Sequence, residues 1–108
     1  MLRSVAMAAV LLSASAVFAA PVPITKAPRG QPVTVSGKVM RITDADAFRL
    51  KDDTGVVTVY VGPNALPVQA GEVVTVLGAL DEGATPEFVA RALRRADGSE
   101  VRFRHDWG

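Results

Sequence analysis

Residues 48–61, FRLKDDTGVVTVYV, decide the fold. Apolar and polar residues alternate on both sides of DDTG. This period of two predicts two β-strands joined by a hairpin turn, whose glycine can take a positive φ. The run VVTVYV is the most β-prone in the chain, because β-branched and aromatic side chains favour strands. The alternation places five apolar side chains on one inward face: Phe48, Leu50, Val57, Val59 and Val61.

Strand patterns also lie on either side of this hairpin. Upstream, residues 33–39 alternate in the same way and predict a half-buried strand, which Gly37 interrupts with a bulge or a bend. Downstream, two prolines within residues 62–71 allow a short helical turn at most. Residues 72–80, EVVTVLGAL, predict a further strand that is interrupted at Gly78.

The segment FVARALRR, residues 88–95, has two interpretations. Its apolar residues fit one face of a helix, and they also fit a strand whose faces have mixed polarity. The dipeptide Asp97-Gly98 is typical of a two-residue hairpin turn, which favours the strand. Residues 99–104, SEVRFR, then alternate as a last strand with Val101 and Phe103 inward.

These segments amount to five or six short strands at intervals of about ten to twelve residues, a spacing typical of a small barrel or sandwich. We therefore predict one all-β domain over residues 33–105. The chain contains no cysteine, so the hydrophobic core alone must stabilise the domain. Closure into a barrel is the simplest way for so small a sheet to cover its edges.

The N-terminal segment has the composition of a secretory signal peptide. Arg3 precedes an apolar run, and small residues follow it up to Ala20. We predict a signal peptide over residues 1–19, cleaved after Ala19, with Ala16 and Ala20 as alternatives. A membrane anchor would need about 20 apolar residues, more than this run supplies. Residues 20–32 hold four prolines and predict an extended, proline-rich leader.

Cleavage changes the charge of the chain. Without Arg3, the twelve basic residues become eleven and match the eleven acidic ones. Nucleic-acid binding depends on neutralising phosphates, so the formal neutrality of the domain argues against a nucleic-acid partner. The signal peptide predicts a periplasmic or secreted location. Absence of cysteine excludes thiolate metal sites and lipoprotein processing.

Three segments together resemble the bacterial OB-fold (BOF) family of small periplasmic proteins, whose members often carry names for stress tolerance. They are VTVSGKVMRI from residue 33, the hairpin at 48–61, and GEVVTVLGALDE from residue 71. The resemblance covers about residues 32–93. It implies a five-stranded Greek-key barrel and a non-enzymatic, ligand-binding role. The basic strand near the C-terminus and the tail at 105–108 depart from the family pattern.

The residue inventory does not support catalysis or metal binding. His105 is the only histidine and lies near the C-terminus, where chains usually fray. A nucleophilic site needs a base held within hydrogen-bond reach, so we predict that the protein is not an enzyme. The paired aspartates at 44 and 46 and at 52 and 53 are interpreted as turn formers, because their spacing does not match a cation-binding loop. No metal and no cofactor is predicted.

Two surfaces are candidates for binding. The outer face of the second and third strands of an OB barrel carries ligands, and its basic and aromatic side chains could hold a small anionic or oligomeric ligand. These binding candidates are Arg49, Lys51, Thr58 and Tyr60. The second candidate is a basic surface of Arg91, Arg94, Arg95, Arg102 and Arg104.

The two surfaces predict two functions. The first is a periplasmic OB-fold binding module linked to envelope stress tolerance. The alternative is a module that docks on an envelope protein through its basic C-terminal strand. Each surface also has a purely structural interpretation, as solvated residues on the outside of a sheet or as arginines paired with nearby acids such as Asp97 and Glu100.

Overall fold

Six strands and one short 3₁₀ helix make up the computed structural model, which describes residues 18–105. The segment predicted with two interpretations, residues 88–95, is a strand, so the helical alternative is wrong. The 3₁₀ helix spans Ile24–Lys26. The strands are β1 (Pro32–Asp44), β2 (Ala47–Lys51), β3 (Val56–Tyr60), β4 (Val73–Leu80), β5 (Phe88–Arg95) and β6 (Glu100–Arg102).

The sheet closes into a barrel. Its strand order is β3-β2-β1-β4-β5-β6, and all neighbours in this order are antiparallel. A parallel pairing between β3 and β5 joins Val59 to Phe88 and Tyr60 to Val89, which closes the ring of five strands. β6 adds to the outside of this ring beside β5. The all-β, OB-like barrel predicted from the sequence is confirmed.

Strand β1 pairs with two neighbours along its length. Its first half pairs with β4 and its second half with β2, with register shifts after Val39 and after Ile42. A side chain on Gly37 would collide with the carbonyl oxygen of Lys51, so the close approach of β1 to β2 requires glycine there. Gly78 lies at the register shift between β4 and β5. The interruption predicted at Gly78 is therefore a register shift, whereas β1 continues without a register shift through Gly37.

The barrel interior is filled by the side chains that the alternation predicted. Val57 is almost fully buried, and the other four inward residues of the central hairpin have no exposed surface. Phe103 is buried, and Val101 packs against the core from its edge. Burial of these large apolar side chains stabilises the fold by about 1.5–3 kcal/mol for each.

Residues 22–30 form a strap across the barrel, although the sequence predicts an extended leader that precedes the domain. The amide of Val22 donates to the carbonyl of Thr34 at 2.8 Å, and the amide of Gly30 donates to the carbonyl of Leu80 at 2.8 Å. Ile24 is only 7% exposed and belongs to the core. Its burial gives the segment a fixed position that proline content alone could not predict.

The predicted signal peptide lies almost wholly outside the described residues, of which Phe18 and Ala19 are the first. Between residues 18 and 105, the chain contains no helix with the length and apolarity needed to cross a membrane.

Candidate binding site

A cleft of about 560 Å³ opens where three parts of the chain meet. The strap forms one wall, the outer face of β2 and β3 forms another, and the loop between β4 and β5 forms the third. In OB folds this strand face and this loop are where ligands bind. The polar side chains in the lining are Thr25, Arg29, Arg49, Thr58, Thr85 and Glu87.

Arg49 is positioned by the alternation of β2. Its neighbours Phe48 and Leu50 are fully buried, so Arg49 projects outward. It lies opposite Thr58 on β3, and its Nη1 donates to the Thr58 Oγ1 at 2.8 Å. This hydrogen bond holds a guanidinium in the wall of the cleft.

The strap and the loop add residues that sequence analysis missed. Arg29 contributes a second guanidinium, and its Nη1 also donates to the carbonyl of Gly83 at 3.2 Å. Glu87 contributes one carboxylate, while Thr25 and Thr85 contribute hydroxyls. Strand alternation carries no signal for these residues, because they lie outside strands and reach the cleft only through tertiary packing.

The structure separates the four predicted binding residues into two groups. Arg49 and Thr58 lie in the cleft wall, whereas Lys51 and Tyr60 are not part of its lining. The ring of Tyr60 lies 6.1 Å from the ring of His105, centroid to centroid, at an interplanar angle of 39°.

Lys51 belongs to a second group of cations on β1 and β2. It lies directly opposite Lys38, and Arg49 lies directly opposite Arg41. Residues opposite one another in an antiparallel pair share a face, so these four side chains form a cationic face. Arg41 was missed because the register shift between Val39 and Arg41 breaks the period of two, and Lys38 was missed because its pairing with Lys51 is a property of two strands.

The five arginines of the predicted basic surface have different surroundings. The Arg95 Nε donates to the Glu72 carboxylate at 2.7 Å. That bond, with a hydrogen bond from the Gln69 amide, lowers the pKa of Glu72, and the same contact raises the pKa of Arg95. Arg94 lies opposite Glu100, and its guanidinium carbon is 4.6 Å from the ring centroid of Phe18.

The other three arginines are spread further apart. Arg102 lies opposite Ala92, and Arg91 lines a smaller groove of about 360 Å³ together with Asp81 and Glu82. The backbone of Arg104 exchanges hydrogen bonds with the side chain of Asn64. Because acidic residues lie beside Arg91, Arg94 and Arg95, the arrangement does not favour docking through the C-terminal strand over ligand binding in the cleft.

Asp52 joins the strap to the hairpin between β2 and β3. Its carboxylate accepts hydrogen bonds from the amides of Ile24 at 2.8 Å, Thr54 at 2.7 Å and Gly55 at 3.1 Å, and from the Thr54 hydroxyl at 2.6 Å. Burial alone would raise the pKa of Asp52, but these hydrogen bonds outweigh it and lower the pKa. Asp52 therefore acts as the turn former that the sequence predicted, and it also anchors the strap.

His105 has a fixed place, which differs from the frayed end expected for it. It is 8% exposed, and its Nε2 lies 2.8 Å from the carbonyl oxygen of Ala90. A carbonyl only accepts, so Nε2 carries the proton in this contact. In the described part of the chain, no three residues among His, Cys, Asp and Glu are grouped to hold a metal ion.

The closed sheet and the cleft on its β2–β3 face define a small OB-like β-barrel protein. Among solved structures, the chain is similar to the hypothetical protein YgiW from E. coli, with a TM-score of 0.62 and 18% identity over 72% of this chain and 91% of that chain. At this identity the likeness shows the fold alone. No family model and no curated protein matches the chain. Membership of the bacterial OB-fold family stays a prediction.

Proposed function

We propose that the chain is an exported, periplasmic binding module that holds a small anionic ligand in the cleft. The observation that carries this proposal is the placement of Arg49, held by Thr58 in the wall opposite the strap. Arg29 brings a second guanidinium to the same lining, against the single carboxylate of Glu87. Guanidinium groups pair with carboxylate and phosphate oxygens in two-point contacts, so this lining favours an anion.

The size and polarity of the cleft narrow the ligand class. Pockets for small molecules typically span about 300–1,000 Å³, and this cleft falls within that range. The hydroxyls of Thr25, Thr58 and Thr85 offer hydrogen bonds beside the two guanidiniums. A phosphorylated or carboxylated compound with further hydroxyl groups would use both features.

Binding without turnover is part of the proposal. His105 is held against the Ala90 carbonyl and does not line the cleft, so the only histidine is not placed to act as a base there. We further propose a role in envelope stress tolerance, which rests on the resemblance to the bacterial OB-fold family and on the signal peptide.

A thermal-shift screen tests the proposed ligand class. The protein is purified after export, its N-terminus is read by mass spectrometry, and it is melted with sugar phosphates, acidic disaccharides and short oligonucleotides. A true ligand at about 100 times its Kd stabilises the fold by about 2.7 kcal/mol, which raises the Tm of so small a domain by about 10 °C or more.

Two variants locate the site of any compound that binds. Arg49→Gln combined with Thr58→Val is expected to weaken binding at least about tenfold, because a charge-assisted contact contributes about 1.5–3 kcal/mol. Arg102→Gln, a cation outside the cleft, serves as the matched control and retains affinity. Equal affinity in both variants, or a screen in which anionic compounds leave the Tm unchanged, would contradict the proposal.

A further inference from the structure

We propose that the cationic face of β1 and β2, with the apolar side chains beside it, is a docking surface for an anionic phospholipid bilayer. The surface comprises Lys38, Arg41, Arg49 and Lys51 together with Met40 and Val73. It goes beyond ligand binding in the cleft, because three of its four cations do not line the cleft.

The arrangement of charge is the first observation. Lys38 is directly opposite Lys51, and Arg41 is directly opposite Arg49. Like charges in these positions destabilise a sheet. Within residues 18–105, Lys38, Arg41 and Lys51 have no acidic partner within ion-pair distance, and all three are exposed. The repulsion is therefore not relieved inside the described chain, and an external anionic surface would relieve it.

Exposed apolar side chains are the second observation. Of the large hydrophobic residues in the described chain, three are exposed: Met40 at 47%, Ile42 at 44% and Val73 at 54%. Met40 lies in β1 between the rows of Lys38 and Arg41, and Val73 lies directly opposite Lys38 on β4. Ile42 lies opposite Phe48 and is therefore on the core-facing side of the sheet. Two of the three exposed apolar side chains, Met40 and Val73, thus lie beside the unpaired positive charge.

This combination favours a bilayer over a hydrated polyanion. A soluble polysaccharide or polyphosphate would neutralise the cations but would leave Met40 and Val73 in water. A bilayer with anionic headgroups neutralises the cations and also buries apolar side chains at the boundary of the acyl chains. Charge complementarity and apolar burial then act at one surface.

Acidic residues limit the contact to the middle of the hairpin. Asp44 and Asp46 lie at the turn between β1 and β2, and Asp53 lies in the turn between β2 and β3. Anionic headgroups repel both turns. The lipid contact is therefore confined to the rows of Lys38 with Lys51 and of Arg41 with Arg49.

Vesicle flotation tests the proposal with the protein purified after export. Vesicles of equal parts phosphatidylglycerol and phosphatidylcholine are expected to carry the protein at low salt, and vesicles of phosphatidylcholine alone are not. Lys38→Glu combined with Lys51→Glu is expected to reduce partitioning at least about tenfold, since each basic residue near an anionic surface contributes about fivefold. High salt reduces the binding of the unmodified protein.

Two further variants separate this surface from general basicity and from polyanion binding. Arg102→Glu combined with Arg104→Glu makes the same charge change elsewhere and is expected to leave partitioning within about twofold. Met40→Ser combined with Val73→Ser keeps every charge and is expected to weaken vesicle binding. Thermal melts confirm that each variant is folded. No binding to anionic vesicles, equal loss in both charge variants, or unchanged binding after removal of the apolar side chains would overturn the proposal, whether or not the cleft binds its ligand.

Discussion

At the scale of single residues, the Asp52 carboxylate accepts hydrogen bonds from two separate segments, the strap and the turn between β2 and β3. One carboxylate stabilises the turn through Thr54 and Gly55 and fixes the strap through the Ile24 amide. Its neighbour Asp53 has the same charge and the same turn, without a hydrogen bond to the strap in the described structure. The two aspartates are therefore a matched pair for experiment.

We expect Asp52→Asn to destabilise the protein by about 1–2 kcal/mol. Both carboxylate oxygens of Asp52 accept hydrogen bonds, whereas an asparagine amide is uncharged and its nitrogen can only donate. The change is measured as a shift of the urea midpoint at neutral pH. Asp53→Asn is the control and should leave the midpoint nearly unchanged. Equal shifts in the two variants would show that Asp52 does not anchor the strap.

The same residue predicts how stability depends on pH. The pKa of Asp52 is lowered in the folded protein, so the unfolded state takes up its proton first as the pH falls. This contribution is complete above the ordinary aspartate pKa of about 4 and is lost as the pH falls through the folded value. Urea midpoints measured across this range should fall less steeply in Asp52→Asn than in the unmodified protein. Parallel curves would contradict the assignment.

At the scale of elements, the burial of residues in β1 could be predicted from the sequence more fully than the pairing of the strand. Period-two alternation correctly predicted that Val35 and Val39 are buried, but it placed Thr34 on the outer face, and Thr34 is buried as well. The interruption predicted at Gly37 is not a break in pairing, because Gly37 pairs with Val74 in continuous register. The same reasoning failed beyond Val39, where a register shift changes which residues share a face. Arg41 lies beyond this shift, and Lys38 precedes it; both are placed on the cationic face only by strand pairing, because register is a property of two strands and not of one.

We expect Gly37→Ala to destabilise the barrel by about 1–3 kcal/mol, because its Cβ would collide with the Lys51 carbonyl and force β1 away from β2. Gly83→Ala is the control, since a Cβ there meets only the Asp81 carboxylate at ordinary contact distance. Thermal melts of both variants measure the difference. A Gly37→Ala protein as stable as the control would mean that β1 and β2 can separate without cost.

At the scale of the whole molecule, the strap converts a barrel face into a cleft. The strand count, the hairpins and the core followed from alternation and turn residues, because these signals are local. The strap was predicted only as a leader, since its position depends on two tertiary contacts. Ile24 packs in the barrel core, and its amide donates a hydrogen bond to the Asp52 carboxylate. Two of the four predicted binding residues, Arg49 and Thr58, line the cleft, because the strap covers the strand face from which they project.

The similarity to YgiW concerns the fold of the whole molecule. The two chains have the same fold at 18% identity, so the barrel does not depend on most individual side chains. Function must then be argued from the residues that line the cleft and cover the cationic face. These are properties of this chain, and each has its own experiment.

The most direct test of the cleft is an NMR titration of the exported protein with pyrophosphate as a small anionic probe. We expect saturable amide shifts centred on Arg29, Arg49 and Thr58, which shrink strongly in Arg49→Gln. Shifts centred on β6, or shifts that persist unchanged in Arg49→Gln, would contradict the claim that strap and barrel together form an anion-binding site.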